Sequence, residues 1–131
     1  MRCPVDKDQL IILEYDDVEL DYCATCRGLW LDGGELALLL GDDEVAGRIV
    51  RRGEVTGREK HRRCPECGTR MHKRATQPPH AVVYDVCPRD CGMWFDAGEL
   101  QTALGHGGDD AEAEALRAWL HEVFGDETPT P

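Results

Sequence analysis

The sequence has no long hydrophobic run, few aromatic side chains and far fewer cations than anions. Its apolar stretches are short, and the clearest, Leu36 to Leu40, lies between acidic neighbours. None approaches the roughly 20 residues that a membrane-spanning helix needs, so no membrane role is expected. The first residues, Met-Arg-Cys-Pro-Val-Asp, carry no apolar segment of signal-peptide type, and the expected location is the cytoplasm. Aromatics make up 6% of the 131 residues, against 14 glycines and 7 prolines. No single large core is evident from that composition. Two units of about forty residues fit it better, and units that small usually need disulfides or metal. Basic residues number 15 against 26 acidic ones, giving a net charge of −11. General nucleic-acid binding is disfavoured, because attraction to phosphate needs a positive footprint.

The chain does have seven cysteines and a repeat. Tyr22 to Leu36 reads Y-C-A-T-C-R-G-L-W-L-D-G-G-E-L, and Val86 to Leu100 reads V-C-P-R-D-C-G-M-W-F-D-A-G-E-L. Counted from the tryptophan, Cys23, Gly28, Trp30, Asp32, Gly34, Glu35 and Leu36 match Cys87, Gly92, Trp94, Asp96, Gly98, Glu99 and Leu100. Upstream of each copy is a second cysteine-bearing turn, Cys3-Pro4-Val5-Asp6 and Cys64-Pro65-Glu66-Cys67. Paired cysteine turns in an unexported chain favour thiolate–metal binding over disulfides. Two turns brought together by antiparallel strands, each giving two ligands, make the arrangement a zinc ribbon requires.

Local patterns supply the strands. Leu10 to Leu13 is apolar, Asp16-Asp17 is a turn, and Val18 to Tyr22 alternates as a half-buried strand does. Val82, Tyr84 and Val86 alternate in the second copy. That copy is three residues longer between its first and third cysteines, around Gln77-Pro78-Pro79-His80. Asp32 with Glu35, and Asp96 with Glu99, have capping-box spacing, which predicts a short helix in each copy, the first ending near Gly41.

The first site is expected to use Cys3, Asp6, Cys23 and Cys26, with Asp6 standing where a knuckle places its second cysteine. A water or His61 in the fourth position are the alternatives. The second is expected to use Cys64, Cys67, Cys87 and Cys91. A thiolate outcompetes a carboxylate for Zn²⁺, so a widened Cys87-x₃-Cys91 loop is preferred; the rival is Asp90 as ligand with Cys91 free. His72 and His80 read as surface residues. The expectation is two Zn²⁺ per chain.

Charge is uneven. Residues 1–47 carry 3 basic and 12 acidic side chains, 48–74 carry 10 and 3, and 75–131 carry 2 and 11. The organisation expected is a ribbon at 1–41, a basic connector at 42–63, a second ribbon at 64–105, an amphipathic helix at 109–125 and a disordered tail at 126–131. Asp42-Asp43-Glu44 opens a candidate short helix in the connector with Val45, Ile49 and Val50 on one side, which Gly47, Gly53 and Gly57 weaken. In the C-terminal helix Leu116, Trp119, Leu120, Val123 and Phe124 form one stripe and Gly125 suits its end. The stripe either docks across a ribbon or pairs with another chain.

With its turns, hairpin and C-x-x-C-x-G-x-W-L-D-x-G-E-L run, the first copy resembles the bacterial zinc-ribbon domain named for its similarity to the ribbon of transcription factor IIB. The second departs from that pattern at Asp90-Cys91. The resemblance implies a zinc-binding module; its name implies transcription only by analogy. The fold expected is a small metal-stabilised α+β chain: two tandem zinc ribbons, each a β-hairpin plus a short helix, and a C-terminal amphipathic helix.

The zinc is expected to be structural, and the functional surface to be the knuckles, the exposed parts of Trp30 and Trp94, and the basic segment. The leading reading is a protein-interaction adaptor with an unknown protein partner, touching transcription or translation machinery. The alternative is a nucleic-acid-binding ribbon using Arg51, Arg52, Arg58, Lys60, Arg62, Arg63, Lys73 and Arg74. A metal-dependent enzyme comes third: it needs an open zinc position with Glu35 as base, whereas Glu35 already has a place at a helix start. A redox use of Cys23-Ala-Thr-Cys26 lacks the βαβ surroundings such motifs have.

Overall fold

Asp16 and Asp17 both take positive φ, 50° and 66°, the conformation of a two-residue type I′ hairpin turn. They join strand β1 (Ile11–Tyr15) to β2 (Val18–Tyr22), with Tyr15 paired to Val18. Strand β3 (Leu29–Asp32) pairs antiparallel with β2, and helix α1 (Glu35–Leu40) follows. Gly41, at φ 68°, ends that helix by donating its amide to the Ala37 carbonyl at 2.8 Å. A short strand, β4 (Gly53–Glu54), lies in the connector. The second copy then repeats the first as β5 (His72–Ala75), β6 (Val83–Val86), β7 (Gly92–Phe95) and α2 (Glu99–Leu104), and α3 (Ala111–Phe124) closes the chain.

This computed structural model describes residues 1–32, 35–41, 44, 53–54, 62–76, 82–105 and 110–124. The connector helix with Val45, Ile49 and Val50, the basic residues Arg51, Arg52, Arg58 and Lys60, His61, the loop at 77–80, Asp109, Gly125 and the tail lie outside the described residues. So does the Phe124 side chain.

The two ribbons share one sheet. Its seven strands run in the order β1-β2-β3-β7-β6-β5-β4. The joint is β3 against β7, with Trp30 opposite Trp94, Leu29 opposite Phe95 and Leu31 opposite Met93. That register maps each copy onto the other about an approximate two-fold axis between the tryptophans.

Side chains alternate across the sheet, so the two faces separate. Leu29, Leu31 and Phe95 point to the face covered by the helices, where they join Leu20, Tyr84, Leu36, Leu100 and Leu104 in one buried cluster. Ala113, Leu116 and Leu120 of α3 complete it, and α3 packs against both α1 and α2. Composition alone showed no such core. It exists because two half-cores, each too small by itself, are pooled across β3 and β7 and roofed by one helix. The amphipathic stripe is therefore spent within the chain, with Trp119 against Tyr15 at a ring separation of 4.9 Å.

Trp30 and Trp94 point to the opposite face, among Cys3, Cys23, Cys64, Cys87, Leu10 and Met71. Both are fully buried, which corrects the expectation that part of each is exposed. The reason is the pairing itself. A Cβ built on Gly28 would stand 2.1 Å from Cζ2 of Trp94, and one on Gly92 would stand 2.9 Å from Cζ2 of Trp30. Each copy's glycine is the seat for the other copy's indole.

Candidate metal centres

Each centre is built from two tight turns at the end of a hairpin. In the first, the Cys3 amide donates to the Asp8 carbonyl at 2.7 Å and the Lys7 amide to the Cys3 carbonyl at 3.0 Å, with Lys7 at φ 69°. In its partner turn the Cys23 amide donates to the Gly28 carbonyl at 3.0 Å and the Arg27 amide to the Cys23 carbonyl at 2.8 Å. The second centre repeats the upstream turn at Cys64–Thr69; at Cys87–Gly92 the outer bond recurs, but the inner one runs from the Asp90 amide, three residues on, to the Cys87 carbonyl at 3.1 Å. Such turns aim backbone amides at sulfur: Val5 N donates to Cys3 Sγ at 3.3 Å, Cys26 N to Cys23 Sγ at 3.4 Å, Glu66 N to Cys64 Sγ at 3.4 Å and Arg89 N to Cys87 Sγ at 3.3 Å. These bonds favour sulfur carrying negative charge.

The ligand atoms of Cys3, Asp6, Cys23 and Cys26 all lie within 4.8 Å of one another, as do those of Cys64, Cys67, Cys87 and Cys91. Cys3 and Cys26 sulfurs are 3.5 Å apart, and those of Cys67 and Cys87 are 3.6 Å apart. Two thiolates on one tetrahedral zinc, each bonded at about 2.3 Å, stand roughly 3.8 Å apart. Asp6 presents its carboxylate to Cys23 Sγ at 3.3 and 3.4 Å, and its Oδ1 also accepts the Asp8 amide. The Asp8 amide holds the Asp6 carboxyl below its ordinary range. Asp90 is exposed in a left-handed turn at φ 63°, outside the group that contains Cys91. His72 is exposed and outside both groups, and His61 and His80 fall outside the described residues.

All seven cysteines are free thiols. Without metal, burial pushes Cys64 up to about 11 and raises Cys3, Cys26 and Cys91 as well. Cys67 runs the other way, drawn down to about 6 chiefly by the Thr69 hydroxyl, 3.2 Å from its sulfur. Buried thiols cannot all ionise side by side in a dry pocket. A divalent cation at their centre removes that conflict, because a coordinating thiol is deprotonated outright. The donor sets, S₃O and S₄, both suit Zn²⁺, and the two tetrads fit two Zn²⁺ ions. When bound, zinc would tie the upstream turn to the hairpin in each copy, held by Cys3, Asp6, Cys23 and Cys26 and by Cys64, Cys67, Cys87 and Cys91.

The acidic pair of the repeat has a different job from the one its spacing indicates. Glu35 Oε1 accepts the Asp32 amide, and Glu99 Oε1 accepts the Asp96 amide at 2.9 Å, so the glutamate half of each capping box forms. In the second copy the aspartate half does not. The N-cap of α2 is Gly98, at φ 77°, with no side-chain cap. The aspartates instead accept the buried indoles, Trp30 Nε1 to Asp32 Oδ1 at 2.7 Å and Trp94 Nε1 to Asp96 Oδ1 at 3.0 Å. A buried indole N–H needs a partner, and the aspartate two residues on supplies it. Burial raises Glu35 and Glu99 to about 7, with the nearby aspartates adding to the effect.

Three polar residues behind the second centre carry roles that their positions in the chain did not signal. Lys73 Nζ bonds Asp85 Oδ1 at 2.7 Å, both nearly inaccessible, and Arg62 bonds Asp96 and approaches Asp85 Oδ2 at 3.7 Å. Only cross-strand register brings Lys73 to Asp85. The one signal available was a charged residue on each of two alternating strands.

Two amide-lined cysteine tetrads, each closing a hairpin onto an upstream turn, define a zinc-ribbon protein. The family described as transcription factor zinc-finger, of the transcription factor IIB ribbon type, matches residues 2–41 and 63–106. The chain belongs to that family. No curated protein and no solved structure matches it. Among the described residues, no helix is long and apolar enough to cross a membrane.

Proposed function

We propose that this zinc-binding ribbon protein is a protein-interaction adaptor whose metal is structural. The observation that carries the reading is where its cations and apolar groups are placed. Of the four cations among the described residues that a nucleic-acid interface would use, Lys73 is buried on Asp85 and Arg62 is engaged with Asp96 and Asp85, while Arg63 is exposed and Arg74 half-buried. Apolar side chains stand in solvent instead: Val5 on the first knuckle, Ile11 and Ile12 on β1, Leu38 on α1 and Val123 on α3. Scattered apolar exposure is ordinary, but Ile11 and Ile12 share an outer strand, and such strands pair with other chains. Four donors per site complete a tetrahedral shell, which is the structural rather than the catalytic pattern. Glu35, the base an enzyme would need, is held on the Asp32 amide.

The test is oligonucleotide binding beside affinity capture, both with zinc-loaded full-length protein. The adaptor reading expects a retained protein partner and no salt-dependent affinity for single- or double-stranded oligonucleotides at low salt. Binding that weakens steeply with salt would transfer the function to the basic segment.

A further inference from the structure

Position by position, the two tetrads are buried alike with one exception. Cys3 and Cys64 are buried, as are Cys23 and Cys87, while Cys26 and Cys91 are half-buried. The second position breaks the match in both chemistry and access. The first copy places Asp6 there, half-buried; the second places Cys67, which is exposed. Of the eight ligand residues only Cys67 is open to solvent. Its sulfur stands 3.6 Å from that of Cys87, which is 1% exposed and belongs to the other turn. The sulfurs of Cys64 and Cys91 lie within 4.8 Å as well.

Oxidation of a cysteine follows its thiolate character and its exposure, and a second sulfur within reach converts the first product into a disulfide. Coordination makes every cysteine of a loaded tetrad a thiolate, so access is what separates them. We propose that Cys67 is a modification site for hydroperoxides, through which the second centre opens while the first keeps its metal. Asp6 offers a peroxide no sulfur at the corresponding position, and the remaining sulfurs of the first centre are buried or half-buried.

The chemistry balances with one peroxide. The Cys67 thiolate attacks a peroxide oxygen; an S–O bond forms, the O–O bond breaks and hydroxide leaves. The Cys87 thiolate then attacks the Cys67 sulfur; an S–S bond forms, the S–O bond breaks and a second hydroxide leaves. Two thiolates give up two electrons, the peroxide takes them, and both hydroxides draw protons from water. Cys64 and Cys91 are then the only thiolates left in the tetrad, too few for a tetrahedral shell, and zinc is released. The new bond joins the upstream turn to the hairpin, residues 20 apart in sequence, as the metal did. One tie replaces another, and a dithiol reverses the exchange.

The inference concerns the second centre's own residues and holds whichever partner the adaptor reading yields. The zinc-loaded full chain is treated with hydrogen peroxide, zinc release is followed with a coloured chelator, and disulfides are located by peptide mapping. One of the two zincs should leave the parent, a Cys67–Cys87 disulfide should accumulate, and dithiothreitol should restore zinc binding. Cys67→Asp copies the donor set of the first centre and should slow release from the second about tenfold. Asp6→Cys makes the converse change, so both of its zincs should become labile; it decides the matter alone if Cys67→Asp fails to load its second site. Release of both zincs together from the parent would overturn the proposal. So would an unchanged rate in Cys67→Asp, loss of a single zinc from Asp6→Cys, or a first disulfide that does not contain Cys67.

Discussion

Gly28 lies under the indole of Trp94, so close that a single added Cβ would stand 2.1 Å from ring carbon Cζ2. Gly92 lies under Trp30 in the same way and also faces the Leu31 carbonyl, 2.2 Å from where its Cβ would be. These contacts run between copies, so the repeat is a folded pair and not two independent ribbons in series. Gly28→Ala and Gly92→Ala should each cost about 1–3 kcal/mol, the usual range for overpacking. Gly92→Ala should cost more, because a backbone oxygen cannot swing aside as a side chain can. Urea denaturation of the zinc-loaded protein checks the order; equal stability of both variants and the parent would remove the cross-copy contact from the account.

The buried Lys73–Asp85 pair is expected to be specific more than stabilising. Lys73→Met leaves a carboxylate at 3% exposure with Arg62, 3.7 Å away, as its remaining ion-pair partner among the described residues, and should cost about 3 kcal/mol. Adding Asp85→Asn should recover most of that loss. A double-mutant cycle by denaturant unfolding measures the coupling, and additive losses would show that the two side chains do not depend on each other.

Glu35 and Glu99 make stability depend on pH. Their folded-state values of about 7 lie above the ordinary 4.5, so the folded chain binds protons more tightly than the unfolded one between those values. Their contribution is fully present below about 4.5 and is lost as pH rises through 7. Acid also protonates zinc-bound thiolates, so the clean window is pH 6 to 8 at fixed free zinc. Across it the parent should lose about 1–2 kcal/mol relative to the Glu35→Gln/Glu99→Gln double variant. A constant difference would mean that both glutamates are ionised throughout.

Metal removal should release the tryptophans. Trp30 and Trp94 share one buried cluster with four of the cysteines, on the sheet face away from the helices. In a Trp119→Phe background, excess chelator should red-shift the emission and erase the near-ultraviolet dichroism, and zinc should restore both. Unchanged emission on demetallation would make the core, not the zinc, what holds these rings.

Much of this fold is legible in the residues. Cysteine spacing placed the four turns, Asp16-Asp17 the hairpin, and Gly41 the end of α1, because each depends on neighbours within a few positions. What local reading could not supply is the relation between the copies. Whether Trp30 is exposed depends on Trp94 and Gly92, more than sixty residues away. The matched glycine two positions before each tryptophan was the available signal, since a glycine in a strand marks a close approach. Asp96 misled for a related reason: capping-box spacing is satisfied, but its carboxylate accepts a buried indole N–H and the helix start has no side-chain cap. Lys73, counted among candidate phosphate contacts, is buried because register sets it opposite Asp85. The shared core was hidden in the same way, as neither copy holds enough apolar residues to reveal it alone.

The central claim is two zinc ions held by two unlike tetrads, and native mass spectrometry of the metal-loaded chain tests it most directly. Two zincs per chain are expected in the parent and in Asp90→Ala, one in Cys91→Ser, and a lowered occupancy of the first site in Asp6→Ala. Retention of both zincs by Cys91→Ser, with loss of one in Asp90→Ala, would contradict the second tetrad.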